Sequence, residues 1–133
     1  MIMKTVVILG ASENPERYSN KAFRILKERH YDIVPVNPSL DVLDEIPVVH
    51  SLSEAPRNPD VLTVYVNSLR SAELVGDILA LAPKVVIFNP GAENPALGLR
   101  LHQAGIKTVN ACSVVLLTTG RFEEAATPEK REI

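Results

Sequence analysis

Five short strand-like runs, four of them dominated by apolar residues, punctuate the chain: TVVIL at 5–9, DIVPV at 32–36, VLTVYV at 61–66, KVVIF at 84–88 and KTVN at 107–110. The first four are continuous rather than alternating, and three are rich in Val and Ile. A strand with one wet face alternates apolar and polar residues; a strand covered on both faces does not. Runs of this kind demand a parallel sheet with helices on either side. Helical patterns fill the intervals. Residues 20–29 place Ala22, Phe23 and Leu26 on one face. Residues 71–82 carry Leu74, Val75, Ile78, Leu79 and Ala82 as an apolar stripe. Residues 94–104 carry Leu97, Leu101 and Ala104, with Gly105 as the C-terminal cap. A short last helix follows Cys112 and ends at Gly120.

The crossover between the second and third runs lacks a long helical pattern. It holds PVVH (47–50), read as a short extra strand, and SLSEAP (51–56), one or two helical turns at most. No internal repeat occurs. The sequence therefore predicts an α/β fold: a single doubly wound, Rossmann-like domain over 1–122, with a parallel sheet of about five strands in the order 3-2-1-4-5. Residues 123–133 read as a loose, polar C-terminal tail.

Composition narrows the class of function. The 133 residues are 46% hydrophobic, enough for one core and not two. Fourteen Lys and Arg against 16 Asp and Glu leave a formal net charge of -2. No broad electrostatic footprint for nucleic acid results, so any polyanion must be held by a local site. A lone cysteine, Cys112, forms no internal disulfide and suits a reduced, cytoplasmic compartment. The opening MIMKTVVILG is too short for a membrane span and lacks the layout of a signal peptide, so no membrane partner is expected. A homodimer is a common arrangement for a domain this small.

In doubly wound sheets the ligand lies beyond the carboxyl ends of the strands, where the chain order reverses. Those ends read GASENPERYSN, NPS, NSLRS, NPGAEN and ACS in turn, with Arg17, Lys21 and Arg70 close by. Small polar groups and exposed backbone N–H groups suit a phosphate-bearing ligand. Turn residues also fill any βα loop, so one Asn-Pro carries little. Two of them on different strands, Asn37-Pro38 and Asn89-Pro90, are less expected by chance.

The first corner says most. Gly10 lets the backbone turn sharply and approach a ligand with no Cβ in the way. Ser12 offers a hydroxyl, and Ser19 or Asn20 is placed to cap the next helix, whose N-terminus attracts anions. Arg17 can hold a phosphate bidentately. The corner departs from the dinucleotide fingerprint, which wants glycines where Ser12 and Pro15 stand. The second strand ends in Asn37 rather than in the acidic residue that grips the ribose of NAD. NAD is disfavoured.

The stretch VVILGASENPERYSNKAFRILKERHYDIVPVNPS, followed by HSL, VYVNS, VIFNPGAEN and ACSVVLLTTG, resembles the small bacterial and archaeal CoA-binding proteins. These are similar in turn to the CoA-binding domain of the succinyl-CoA synthetase alpha subunit. The resemblance covers roughly residues 4–122. It implies coenzyme A as the ligand, with Gly10, Ala11, Ser12 and Arg17 on its phosphates. It places Val36, Asn37 and Pro38 beside the adenosine, and Val66 and Asn67 further along. Two positions depart from the family. His30 stands where many relatives have Gly, a change at a helix end. The synthetase has a Lys just after the second strand that suits a 3′-phosphate, whereas SLDVLDE here is acidic. Arg17, Lys21 or Arg24 then supplies the charge, or CoA binds weakly.

The synthetase's second domain, which carries a phosphorylated His, has no counterpart in these residues. His30, His50 and His102 stand in no triad or metal-ligand spacing, and Glu93 has no visible carboxylate partner. Two readings of function stay open. One is a non-catalytic module for CoA or acyl-CoA, acting as a sensor, carrier or regulator. The other is a partner-dependent enzyme using acyl-CoA or another nucleotide. Cys112 is likewise open: a small buried hydrophobe, or a thiol activated at a helix start. With the strand order above, the pantetheine arm crosses Asn89-Pro90-Gly91 toward that thiol.

Overall fold

The computed structural model describes residues 3–129. Strand β1 (Thr5–Leu9) leads through the Gly10 corner into helix α1 (Tyr18–Glu28) and then β2 (Asp32–Val36). A small antiparallel hairpin, β3 (Val42–Leu43) with β4 (Ile46–Pro47), and a 3-10 turn at Leu52–Glu54 fill the crossover to β5 (Val61–Val64). Helices α2 (Ser68–Glu73) and α3 (Val75–Leu81), strand β6 (Val85–Phe88), helix α4 (Pro95–Gln103) and strand β7 (Lys107–Asn110) follow. Helices α5 (Ser113–Thr118) and α6 (Phe122–Ala125) close the described chain.

The five-strand sheet is wholly parallel, with every pair in register from β1 outward, as in Val6 beside Ile33 on one side and Val61 on the other. Alternate residues of β1 feed two cores. Val6 and Ile8 pack with Phe23, Leu26, Leu117 and Phe122 under α1, α5 and α6. Val7 and Leu9 pack with Leu62, Ile78, Leu97 and Leu101 under α3 and α4. Two covered faces explain why the apolar runs are continuous.

The fold class is as the sequence predicts, but the strand order is corrected. The sheet runs β2-β1-β5-β6-β7, so the third long strand lies beside the first and not outside the second. Two features enforce this. The outer edge of β2 is covered by Val49, whose N–H donates to Pro35 O and whose carbonyl accepts from Asn37 N–H, each at 3.0 Å. Pro35 itself has no N–H for a second ladder, which confines it to an edge. All four residues of β5 are buried, as a central slot requires.

Three local expectations also change. The stripe at 71–82 is two helices, because Leu74 N–H bonds Ser71 O at 3.0 Å, three residues back, and tightens the turn between α2 and α3. Helix α1 begins at Tyr18, so Ser19 and Asn20 lie inside it and do not cap it; Arg17 holds the cap position with no side-chain bond. Its other end is a Schellman closure: Tyr31 N–H bonds Leu26 O, His30 N–H bonds Lys27 O, and His30 is left-handed at φ 64°. The tail is not loose over its described part. Ala126 is buried, and Lys107 Nζ donates to Thr127 O at 2.9 Å. Residues 130–133 of that tail lie outside the described residues.

Candidate functional site

With β1 beside β5, the reversal of chain order falls between those two strands, and the loops after Leu9 and Val64 flank it. Three clefts run along this edge. The central one, about 510 Å³, is lined by residues of the first corner, including Gly10, Ala11, Ser12, Arg17 and Ser19, together with Asn37, Tyr65 and Pro90. A second, about 260 Å³, shares Gly10 and Asn37 and continues over Val36, Pro38, Leu52 and Val66 to His50 and Arg70. The third, also about 260 Å³, shares Tyr18, Tyr65 and Pro90 with the first and ends at Cys112 and Val115. The three form one track, polar in the middle and apolar toward both ends.

Gly10 makes the corner possible. Its φ is +92°, and a Cβ there would stand 3.2 Å from Val66 Cγ1 and 3.3 Å from Tyr65 Cβ. The glycine therefore serves the approach of β1 to β5 as well as any ligand. Beyond it the loop is fixed by a relay of side chains. Ser12 Oγ accepts Asn14 N–H at 3.0 Å, Asn20 Nδ2 donates to Ser12 O at 2.8 Å, and Arg24 donates to Asn20 Oδ1 at 2.8 Å and Pro15 O at 3.0 Å. Arg24 is thus spent on the loop and does not serve as a free phosphate partner. Among the described residues no carboxylate pairs with Arg17, which faces the cleft where α1 opens; Glu16 brings one negative group to the same rim.

The two Asn-Pro pairs turn out to be clamps. Asn37 Nδ2 donates to Ala11 O at 2.7 Å and its Oδ1 accepts Ser39 N–H at 2.7 Å, tying the β2 loop to the Gly10 corner. Asn89, 2% exposed, donates to Thr63 Oγ1 at 2.7 Å and Val64 O at 2.9 Å and accepts Ser113 N–H at 2.8 Å. That side chain holds β5, β6 and the start of α5 together. Tyr65 covers the same network. Its hydroxyl is buried without a hydrogen-bond partner among the described residues, since the Thr63 and Ser113 hydroxyls beneath it bond each other at 2.9 Å. Burial pushes its pKa up to about 12, and the two hydroxyls pull the other way without prevailing. The phenol stays neutral.

Not every predicted residue reaches the track. Lys21 stacks its ammonium 4.8 Å from the Tyr18 ring centroid and lines none of the three clefts. Asn67 caps α2 by accepting Arg70 N–H at 2.9 Å. Gly91 donates its N–H to Glu93 Oε1 at 2.7 Å, and Pro90 rather than Gly91 meets the cleft. Cys112 is partly exposed, not a fully buried hydrophobe. The sequence reading missed Tyr18, Tyr65, Leu52 and the place of His50 on the rim of the second cleft, whereas Pro90, expected under the pantetheine arm, lines the first and third clefts. Tyr65 carried a signal: it is the first residue past a strand end, the position from which such sheets address ligands. Among the described residues no three His, Cys, Asp or Glu side chains gather to hold a metal, and no helix is long and apolar enough to cross a membrane.

Strand order and cleft together define a doubly wound α/β domain of the flavodoxin-like order, with a cleft at its switch point. The chain belongs to the family of CoA binding domains, which matches it over residues 4–118. Uncharacterized protein YneT of Bacillus subtilis (strain 168) is 32% identical over 73 residues, 55% of this chain and 52% of that protein, so the match spans about half of that curated relative. Among solved structures, an uncharacterized protein is similar with a TM-score of 0.84 and 33% identity, over 92% of this chain and 100% of that one. The protein cell-free ID.343 from Thermus thermophilus has a TM-score of 0.80 and 30% identity, over 90% of each chain.

Proposed function

We propose that this chain binds coenzyme A, free or acylated, along the carboxyl edge of its sheet and catalyses no reaction by itself. The observation that carries the reading is the three-part track. A flat heterocycle suits the apolar cleft over Val36, Pro38 and Val66, beside Asn37. A pyrophosphate suits the central cleft, where Gly10, Ala11, Ser12 and Ser19 crowd the start of α1 and Arg17 supplies charge. A long, weakly polar arm suits the third, between Tyr18, Tyr65 and Pro90, with Cys112 at its end. The path to that end crosses three strand spacings of ~4.8 Å, from β1 to β7.

Binding without turnover is supported by how the polar groups are used. Asn37, Asn89 and Ser12 are committed to holding loops, and the Tyr65 phenol stays neutral. Arg17 is left to grip an anion in the central cleft, beside the Glu16 carboxylate and the Tyr18 and Ser19 hydroxyls, and among the described residues these groups form no hydrogen-bonded acid–base or nucleophile pair. A sensor, carrier or regulator in a reduced cytoplasm fits such a site.

Arg17→Ala tests the phosphate assignment. Losing one charge-assisted contact should weaken CoA binding by about 1.5–3 kcal/mol, ten- to a hundredfold. Thermal stability of the free protein should hardly change, because the Arg17 side chain makes no hydrogen bond or ion pair among the described residues. Calorimetry showing parental affinity in Arg17→Ala would remove Arg17 from the site.

A further inference from the structure

The second cleft carries a charge pattern that a plain heterocycle does not need. His50 stands on its β2 side, directly after Val49, which bridges to Val36; Arg70 stands on its β5 side, in the first turns of α2. In the order β2-β1-β5 these two side chains flank the carboxyl end of β1 from opposite sides. Both are exposed and held only by surface pairs: His50 Nε2 with Asp41 Oδ1 at 2.8 Å, and Arg70 with Glu73 Oε2 at 3.0 Å. Exposed pairs of this kind are weak, so either side chain can be recruited by a stronger anion. The loop after β2 is meanwhile acidic, with Asp41, Asp44 and Glu45. Of the three cations considered for a ribose phosphate, Arg17 lines the central cleft and not this one, Arg24 is spent on its loop and Lys21 lies off the track.

We propose that Arg70, with His50 facing it, receives the 3′-phosphate on the adenosine ribose, and that this pair sets selectivity for CoA over its 3′-dephospho form. The inference rests on the proposed binding of CoA. An apolar floor bearing two cation-capable side chains at its rim fits an aromatic heterocycle that carries a further dianion. Arg offers the bidentate fork that phosphate favours, and His a second N–H when protonated. Three carboxylates stand near the pair: Asp41 and Glu73 as above, and Glu54, which accepts the His50 backbone N–H at 2.8 Å. The incoming phosphate displaces the first two.

The experiment is calorimetric titration of the intact protein with CoA and with 3′-dephospho-CoA, repeated on Arg70→Gln and His50→Gln. The parent should bind CoA about tenfold or more tightly than the dephospho form. Arg70→Gln should abolish most of that preference and His50→Gln part of it, with affinity for CoA falling several-fold more than affinity for 3′-dephospho-CoA in both. Equal binding of the two ligands by the parent overturns the proposal and leaves CoA binding standing. Preference that survives Arg70→Gln, or equal losses for both ligands, also overturns it. Failure of the parent to bind either ligand refutes the CoA reading itself.

Discussion

Position 10 shows how tightly a single residue can be bound by two demands. Gly10 sits at φ +92° with β5 atoms at 3.2–3.3 Å from where a Cβ would be. A substitution here is therefore not a clean ligand-blocking change, although the sequence alone presents it as one. Gly10→Ala should lower stability by roughly 1–3 kcal/mol, from backbone strain and crowding against Val66 and Tyr65. Urea denaturation checks this, and an unchanged midpoint would contradict it. The opposite change is available at the end of α1. His30 adopts φ 64°, and among the described residues its side chain makes no hydrogen bond to hold it there. His30→Gly should raise stability by up to about 1 kcal/mol, since glycine takes that conformation freely. A lower melting temperature for His30→Gly would show that the histidine side chain contributes something the backbone account omits.

At the scale of elements, two tyrosines tie neighbouring pieces together and give the fold a pH signature. Tyr31, just after α1, hydrogen-bonds Glu123 of α6 and meets Phe122 edge to face at 5.6 Å. Burial, then the Glu123 carboxylate, push its pKa up to about 12, against the opposing charge of Arg29. Tyr65, over the junction of β5 and α5, is raised to about 12 by burial. The unfolded chain loses these protons near ~10, while the folded chain holds them to higher pH. Their contribution is complete below that point and is lost as pH rises through about 12. Stability should therefore fall through pH 10–12, and less steeply in the Tyr31→Phe, Tyr65→Phe double variant. An equal slope in both proteins would contradict the assignment. At the acid end Asp60 works in the other direction. Burial raises its pKa, but the Thr5 N–H at 2.8 Å and Lys84 at 3.2 Å outweigh it and leave it lowered. Its clamp between β1 and β5 is present above the ordinary carboxylate range and is lost as pH falls below it.

The elements themselves were largely legible, because strands buried on both faces leave continuous apolar runs and helical patterns fill the intervals between them. Their order was not read from those runs, yet DIVPV contained the clue. Pro35 cannot donate to a second neighbour, so β2 belongs at an edge, whereas the order 3-2-1-4-5 would have made it internal. At the site, strand–Gly–helix marked the corner, and Gly10, Ser12 and Arg17 do line one cleft. Asn37 and Asn89 were marked for their position, but only the fold shows their amides consumed by backbone. Tyr18, Tyr65 and His50 were not found, since their part depends on which loops face each other across the switch point. That is a property of strand order, and it moves when the order is corrected.

For the whole molecule, the moved switch point lengthens the proposed ligand path. The first corner and Cys112 are separated by three strand spacings instead of two, and the clefts bridge that distance through Tyr18, Tyr65 and Pro90. In the proposed reading the pyrophosphate lies mid-track with a long arm toward Cys112, whereas a dinucleotide would lack an acidic partner for its ribose at the end of β2. Asn37 stands where an NAD site needs a carboxylate, and its amide is already bonded to Ala11 O and Ser39 N–H. Calorimetric titration of one sample with CoA and then with NAD is the most direct test. The account predicts a saturable one-to-one heat with CoA and binding of NAD weaker by about tenfold or more. No heat with CoA, or NAD binding as tight as CoA, would contradict it.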